Sequence, residues 1–246
     1  MKKALSLLIA ALFVMGMSAE TFAAKKYISG NVGMAWFDDA TATQVEGDED
    51  DTVDLSFDSG IALTGAIGCD FGSTRIEAEM GYQKNDVKSI TFDYVEFLDP
   101  YEPPYISERD RLETEEGTGD VSLTTFMLNG YYDIAPMEGS GVEIFLTAGV
   151  GAVFVHFDSV GPGIDMDETY DVVDDYTSTF SETTWAYQLG AGVAIPVGDG
   201  IMVDARYRYF DAADITTRDD DELFVEDPMN ISIDSHSALL GLRYSF

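Results

Sequence analysis

An eight-stranded antiparallel up-and-down β-barrel is the fold that the 246-residue sequence predicts, and three observations predict it. Eight successive segments alternate apolar with small or polar residues at a period of two. The connections between them alternate long and short. The polar face of the segments is built of glycine, small residues and a few charges of both signs, not of the lysine and glutamate of a water-facing wall.

The eight segments follow in order. Tyr27 to Phe37 sets Ile28, Val32, Met34 and Trp36 against Ser29, Asn31, Gly33 and Ala35. Gly60 to Asp70 sets Ile61, Leu63, Ile67 and Cys69 against Ala62, Thr64, Ala66 and Gly68. Thr74 to Gln83 sets Ile76, Ala78, Met80 and Tyr82 against Arg75, Glu77, Glu79 and Gly81. Val121 to Asp133 sets Phe126, Leu128 and Tyr132 against Thr125, Asn129 and Tyr131. Val142 to Phe157 sets Ile144, Leu146, Ala148, Val150 and Phe154 against a face holding Gly149 and Gly151. Thr184 to Ile195 sets Trp185, Tyr187, Leu189, Val193 and Ile195 against Gln188, Gly190 and Gly192. Ile201 to Phe210 sets Val203, Ala205, Tyr207 and Tyr209 against Asp204, Arg206 and Arg208. His236 to Phe246 sets Leu240, Leu242, Tyr244 and Phe246 against Leu239, Gly241 and Arg243.

The connections at 38–59, 84–120, 158–183 and 211–235 are long, and those at 71–73, 134–141 and 196–200 are short. An antiparallel meander then collects the long loops at one end and the tight turns at the other, and an even strand count returns the C-terminus beside the N-terminus. Membrane barrels have long outer loops and short periplasmic turns. A soluble barrel would carry the same alternation with its faces exchanged. Beyond residue 23 the chain holds only four lysines, Lys25, Lys26, Lys84 and Lys88. Its apolar face ends in Trp36, Phe37, Tyr82, Trp185, Tyr187, Tyr207 and Tyr209, which suit the aromatic girdles of a membrane boundary. The apolar face is therefore predicted to meet lipid.

Residues 1–23 read as a secretory signal: Lys2 and Lys3 precede the apolar run from Ala4 to Met17, which is too short to span a bilayer. Cleavage is placed after Ala23, because a cut after Ala24 would put Phe22 where a small residue is preferred. Residues 24–246 form one barrel domain. A balance of 13 basic against 46 acidic residues, net −33, excludes nucleic acid as a partner. Cys69 stands alone and rules out an internal disulfide or a multi-cysteine zinc site.

Charges on the inward face require partners there. Arg75, Glu77 and Glu79 on the third segment lie across the lumen from Asp204, Arg206 and Arg208 on the seventh, and Arg243 enters from the eighth. These seven are predicted to form an interior network that plugs the barrel, with an ion path as the competing reading. The long connections hold 37 of the 46 acids, including the runs Asp48, Glu49, Asp50, Asp51 and Asp219, Asp220, Asp221, Glu222. Such oxygen clusters suit loosely held calcium or magnesium. Like-charge blocks also serve as solvated, mutually repelling surface or as adaptation to salt. No segment has the spacing of an EF-hand, since Tyr170 stands where that loop needs glycine. No resident cofactor is expected. In the longest connection Tyr94, Phe97, Tyr101, Tyr105 and Ile106 accompany Pro100, Pro103 and Pro104, either as a partner-binding surface or as a lid.

No catalytic group is expected. His236 flanked by Ser235 and Ser237 would point away from both on a strand, and His156 has a serine at a useful offset only in Ser159.

Several stretches resemble the outer-membrane β-barrel family of opacity and surface-antigen proteins, related to OmpA-type barrels. They are Gly65-Ala66-Ile67-Gly68-Cys69-Asp70-Phe71-Gly72 with Arg75-Ile76-Glu77-Ala78-Glu79-Met80-Gly81-Tyr82, then Asn129-Gly130-Tyr131-Tyr132-Asp133, Ala148-Gly149-Val150-Gly151, and Asp204-Ala205-Arg206-Tyr207-Arg208-Tyr209. The ending Ser237 to Phe246 is similar to the family's insertion signal, with Leu240, Leu242, Tyr244 and Phe246 at alternate positions. Cys69 stands where the family often has an aromatic. The resemblance implies an eight-stranded barrel in a Gram-negative outer membrane, with membrane lipids and the barrel-assembly machinery as partners and no catalytic residues. The role expected is structural or surface interaction, with an extracellular ligand or surface at the acidic loops; the alternative is a narrow porin or transporter for ions or small apolar molecules.

Overall fold

A computed structural model describes residues 24–44, 52–96, 109–134, 141–162, 177–216 and 229–246. The signal segment 1–23 and both acidic runs lie outside the described residues. All regular structure among those described is strand: β1 (Lys25–Phe37), β2 (Ala40–Gln44), β3 (Thr52–Phe57), β4 (Gly60–Asp70), β5 (Thr74–Glu96), β6 (Arg109–Ile134), β7 (Glu143–Pro162), β8 (Ser178–Gly198), β9 (Ile201–Thr216) and β10 (Met229–Ser245).

Ten strands make eight staves. β1 pairs with β10 and with β4, and β2, its continuation past a break at 38–39, pairs with β10 and with β3. β3 and β4 both pair with β5 on their far side. The order then runs β5-β6-β7-β8-β9-β10, antiparallel throughout, and the β1–β10 ladder from Tyr27↔Ser245 to Phe37↔Ser235 closes the cylinder. Closure leaves no open edge at the level of the membrane, the condition for a sheet to cross lipid.

The strands run far past the positions where the sequence reading ended them. β5 holds 23 residues and β6 holds 26, against the 9–11 or so that a tilted strand needs to span a membrane. Much of the four long connections is thus wall, not loop. The reason is an exchange of faces. In the lower band Ile28, Val32, Met34, Ile67, Met80, Val150, Leu189, Leu240 and Leu242 stand exposed on the outside, while Ser29, Asn31, Thr64, Glu77, Asn129 and Arg206 are buried inside. Above Trp36 and Tyr207 the pattern inverts. Val53, Leu55, Val87, Ile90, Val121, Val155, Phe157, Val160, Phe180, Ile215, Ile231 and Ile233 form one buried apolar cluster, and Asp86, Lys88, Glu116, Asp158 and Asp214 point to water. A rule that demands apolar residues outside stops at that level, although the ladder does not. The upper wall is a soluble barrel continuous with a membrane barrel.

The short turns are set by local backbone. At 198–200, Gly198, Asp199 and Gly200 all adopt positive φ (127°, 43° and 79°), which glycine tolerates and aspartate accepts better than bulkier residues.

Because Leu55 is fully buried in the upper cluster, Leu55→Ala is expected to cost about 2–5 kcal/mol in that half alone. Limited proteolysis from the outer side should quicken, while the heat-dependent gel shift of the folded barrel persists.

Candidate functional site

The lower lumen is filled by side chains, and Glu79 on β5 is its hub. Arg208 on β9 reaches Glu79 Oε1 at 3.2 Å through Nη1 and donates to Ser237 Oγ at 3.1 Å through Nε. Arg206, two residues earlier and so on the same face, lies 3.9 Å from Glu79 Oε2 and donates to Asp204 Oδ1 at 2.9 Å and to the Tyr131 hydroxyl at 3.0 Å. Gln188 on β8 donates to Glu79 Oε1 at 3.3 Å and to Asn129 Oδ1 at 2.6 Å. Glu77 accepts from the Tyr131 hydroxyl at 2.7 Å and from Ser29 Oγ at 3.1 Å. The room comes from missing side chains: a Cβ at Gly149 would sit 1.9 Å from Asn129 Oδ1.

Of the seven inward charges named from the sequence, the structure brings Glu79, Asp204, Arg206 and Arg208 into ion-pair contact. Glu77 joins them through Tyr131. Arg75 and Arg243 turn elsewhere. Arg75 forms a two-pronged bridge to Asp133, both contacts 2.7 Å, with its guanidinium 4.2 Å above the Tyr131 ring. Arg243 pairs with Glu143. Asp133 and Glu143 escaped the sequence reading because each stands near a strand end, where alternation gives little warning of its direction. Register finds Asp133: Thr74 pairs with Tyr132 and Arg75 with Tyr131, so Asp133 flanks Arg75.

A second constellation rings the outside at the change of faces. His236 Nδ1 meets the Tyr207 hydroxyl, and its Nε2 lies 3.2 Å from Asp38 Oδ2. Trp36 stacks on the same imidazole at 6.1 Å, and Tyr209 lies 5.2 Å away. Tyr187 and Tyr209 both donate to Asp211 Oδ2, at 3.1 and 3.0 Å. This is an interface girdle whose polar tips are hydrogen-bonded. Ser235 and Ser237 are buried on the inner side, 1% exposed each, so neither faces His236. His156 instead meets Ser181, Nδ1 to Oγ 2.6 Å, a cross-strand partner 25 residues away that no local spacing reveals. No metal-holding cluster occurs among the described residues. Leu240, Leu242, Tyr244 and Phe246 are all exposed on the outer face of β10 and its end.

Arg206→Ala leaves Asp204 without its 2.9 Å partner in a closed interior, while Glu79 keeps Arg208 and Gln188, and is expected to lower stability by about 3–5 kcal/mol, read as a fall in the urea midpoint in detergent micelles; an unchanged midpoint removes the network from any stabilising role. On the water side of the girdle, partial burial and the neighbouring Asp38 and Asp211 carboxyls push Asp234 up to about 6. Its folded pKa lies above the unfolded one, so the folded state holds the proton more tightly, and that contribution is lost as pH rises through 6. Asp234→Asn should therefore raise the unfolding midpoint at pH 8, and the advantage should shrink as pH falls below 6.

The family model of the outer membrane protein β-barrel domain matches residues 6–246. The outer membrane protein PagN of Salmonella typhimurium is 27% identical over 176 residues, covering 61% of this chain and 69% of PagN. Among solved structures, the Neisserial surface protein A (NspA) is 16% identical, covering 90% of this chain and 97% of its own, with a TM-score of 0.48. The outer membrane protease OmpT of Escherichia coli is 12% identical, covering 93% and 100%, also with a TM-score of 0.48. The chain belongs to the outer membrane protein β-barrel family, and its place is the outer membrane of a Gram-negative cell.

Proposed function

We propose that this outer-membrane barrel conducts nothing along its axis and acts through its extracellular end, as a structural or surface-interaction protein. The observation that carries the reading is a lumen filled at two levels. The lower level holds the Glu79–Arg206–Arg208 network. The upper level holds the apolar cluster, in which Phe157 and Phe180 stack at 4.4 Å. Two cavities in this interior measure about 10 Å³ each, room for about one water apiece. A hydrated ion passing there would have to displace paired charges and then cross an apolar core.

The upper wall supports the interaction half of the proposal. β5 continues ten residues beyond Asp86 to Glu96, about 33 Å of extended chain at ~3.3 Å per residue. That extension carries the acidic connections away from the lipid surface, where a net −33 chain favours a basic partner or one bridged by divalent cations. Catalysis has no place in this reading, and neither does a resident cofactor.

Planar-bilayer recording on the refolded barrel, with folding verified by its heat-dependent gel shift, tests the closed lumen. The expected trace is silent at ±100 mV or so. Reproducible single-channel steps, enlarged by Arg208→Ala, would replace this reading with the narrow-porin alternative.

A further inference from the structure

Above the girdle the wall parts on one side. β8 and β9 pair from Gly198↔Ile201 up to Ala186↔Ala212, and there their ladder ends, although β8 extends to Ser178 and β9 to Thr216. Each stave keeps its other neighbour: β8 pairs with β7 as far as Val160↔Ser178, and β9 with β10 as far as Asn230↔Thr216. The parting has a local cause. Ala213 and Asp214 of β9 stand against Ser232 alone, between Ile231↔Ile215 and Ile233↔Ala212, and one extra residue bends the strand that carries it.

Register shows which backbone groups the parting leaves bare. Ser245 N–H donates to the Gly200 carbonyl and Phe246 N–H to the Lys26 carbonyl, so odd residues of β10 turn to β9 and even ones to β1. Backbone groups alternate sides along a strand. Through Arg243↔Met202 and Ile195↔Val203, the odd residues of β8 turn to β9. β8 then runs without a bulge from Ala194 to Phe180. Thr179, Ser181, Thr183 and Trp185 therefore aim their N–H and C=O groups into the seam, where no strand among the described residues pairs with them. Thr183 N–H donates instead to Glu182 Oε2 at 3.4 Å.

The inner face of β8 is polar at the same level. Elsewhere in the upper wall the inward residues are buried and apolar, as Val53, Leu55, Ile90, Val155 and Ile215 are. Glu182 and Thr184 face the same way as buried Phe180 but are only partly buried, so water reaches the seam. Its lips are acidic, with Glu182 on one and Asp211 and Asp214 on the other. The described residues of β8, β9 and β10 above the girdle include no lysine or arginine.

We propose that the β8 edge is a strand-addition site, and that its occupant is an extended basic segment of a partner protein paired antiparallel with residues 179–185. This rests on the reading that the barrel acts through its outer end, and gives that reading a partner chemistry. Seven residues offer about 23 Å of ladder at ~3.3 Å per residue. Lysine or arginine on the added strand meets Glu182 on one lip and Asp214 on the other. A second copy in the same membrane is the weaker occupant, since its β8 runs the same way relative to the bilayer and could pair only in parallel.

The test uses the full barrel in lipid nanodiscs. In residue-resolved amide exchange, Thr179, Ser181, Thr183 and Trp185 are expected to exchange at least tenfold faster than Phe180, Glu182 and Thr184, which face β7. The probe is a fluorescein-labelled heptapeptide alternating lysine with threonine, its binding followed by anisotropy. It should slow the four fast amides at least tenfold. It should also bind at least tenfold tighter than the same peptide N-methylated throughout, which keeps every side chain and loses every backbone donor. Glutamate in place of lysine should weaken it at least tenfold, and Glu182→Gln with Asp214→Asn should bring that preference below threefold. Thr183→Pro removes a seam donor and no β7–β8 bond, and should cost at least fivefold in affinity with the heat-dependent gel shift retained. Slow exchange of all four amides in the peptide-free barrel would show an edge already occupied and overturn the site. Equal binding of the parent and methylated peptides would overturn strand addition while leaving an acidic surface that takes basic partners. Binding by neither would overturn the site and the basic-partner reading together.

Discussion

In lipid a backbone N–H or C=O that finds no partner costs several kcal/mol, and no water is present to supply one. The closed ladder from β1 round to β10 answers that demand for all of the wall except the interval at 36–39 and 56–59 and, above the girdle, the seam between β8 and β9, and the rest of the molecule depends on it. Once the wall satisfies its own backbone, the side chains are released from holding it together. Either face can then be apolar or polar, according to what it touches. That freedom lets one uninterrupted ladder pass from lipid into water. The pairing of β5 with β6 runs from Thr74↔Tyr132 to Glu96↔Arg109 with one irregularity, between Asp86 and Ser89, close to the level where the two faces exchange. Below it the outer face resembles lipid, and above it the inner face resembles a globular core.

The two interiors solve different problems. A barrel of eight strands leaves just enough lumen for side chains, so the lower half must fill that volume with residues whose outward neighbours are already committed to lipid. Polar side chains can do so only if each finds a partner. Glu79 receives donors from β8 and β9 together, and the strands it joins are third and seventh in the barrel order, so the network braces the cylinder across its diameter. The upper half, wetted outside, gains from burying Leu55, Ile90, Val121 and Phe157 by the ordinary hydrophobic effect.

How much of this the sequence disclosed follows from the same physics. Alternation is legible wherever one face is uniformly apolar and the other is not. The eight membrane-spanning staves, their order and the opposition of β5 to β9 could therefore be read from residues such as Ile76, Met80, Tyr207 and Arg208. The aromatic boundary could be read for the same reason, except at Phe37, which the structure buries in the upper apolar cluster instead of setting it against lipid. The upper staves were lost because Asp54, Asp86, Asp158 and Asp214 at alternate positions look like acidic loop when lipid is assumed outside, although Val53, Leu55, Val87 and Ile215 keep a period of two on the other face. Partners across the sheet were the hardest to see. Asp133 for Arg75 and Ser181 for His156 depend on register, which pairing fixes and composition does not. The interruption at 36–39 and 56–59 belongs to the same class, since it becomes visible only when the ladders on either side are found in one register.

That interruption also bears on the closure argument. A wall that must satisfy every backbone group in lipid can leave four pairs unmade only where water or a polar side chain serves them. The gap lies at the one height that allows this, with Trp36 at its lower edge and exposed Asp38, Asp39 and Asp58 along it. Asn85 holds two of the released carbonyls from within. An alanine at 85 would leave both acceptors to solvent or without a donor, so the amide is a structural part of the wall and not one more polar side chain in the lumen. The barrel is weakest laterally at the boundary between its two interiors, where lipid, water and apolar core meet within one strand spacing.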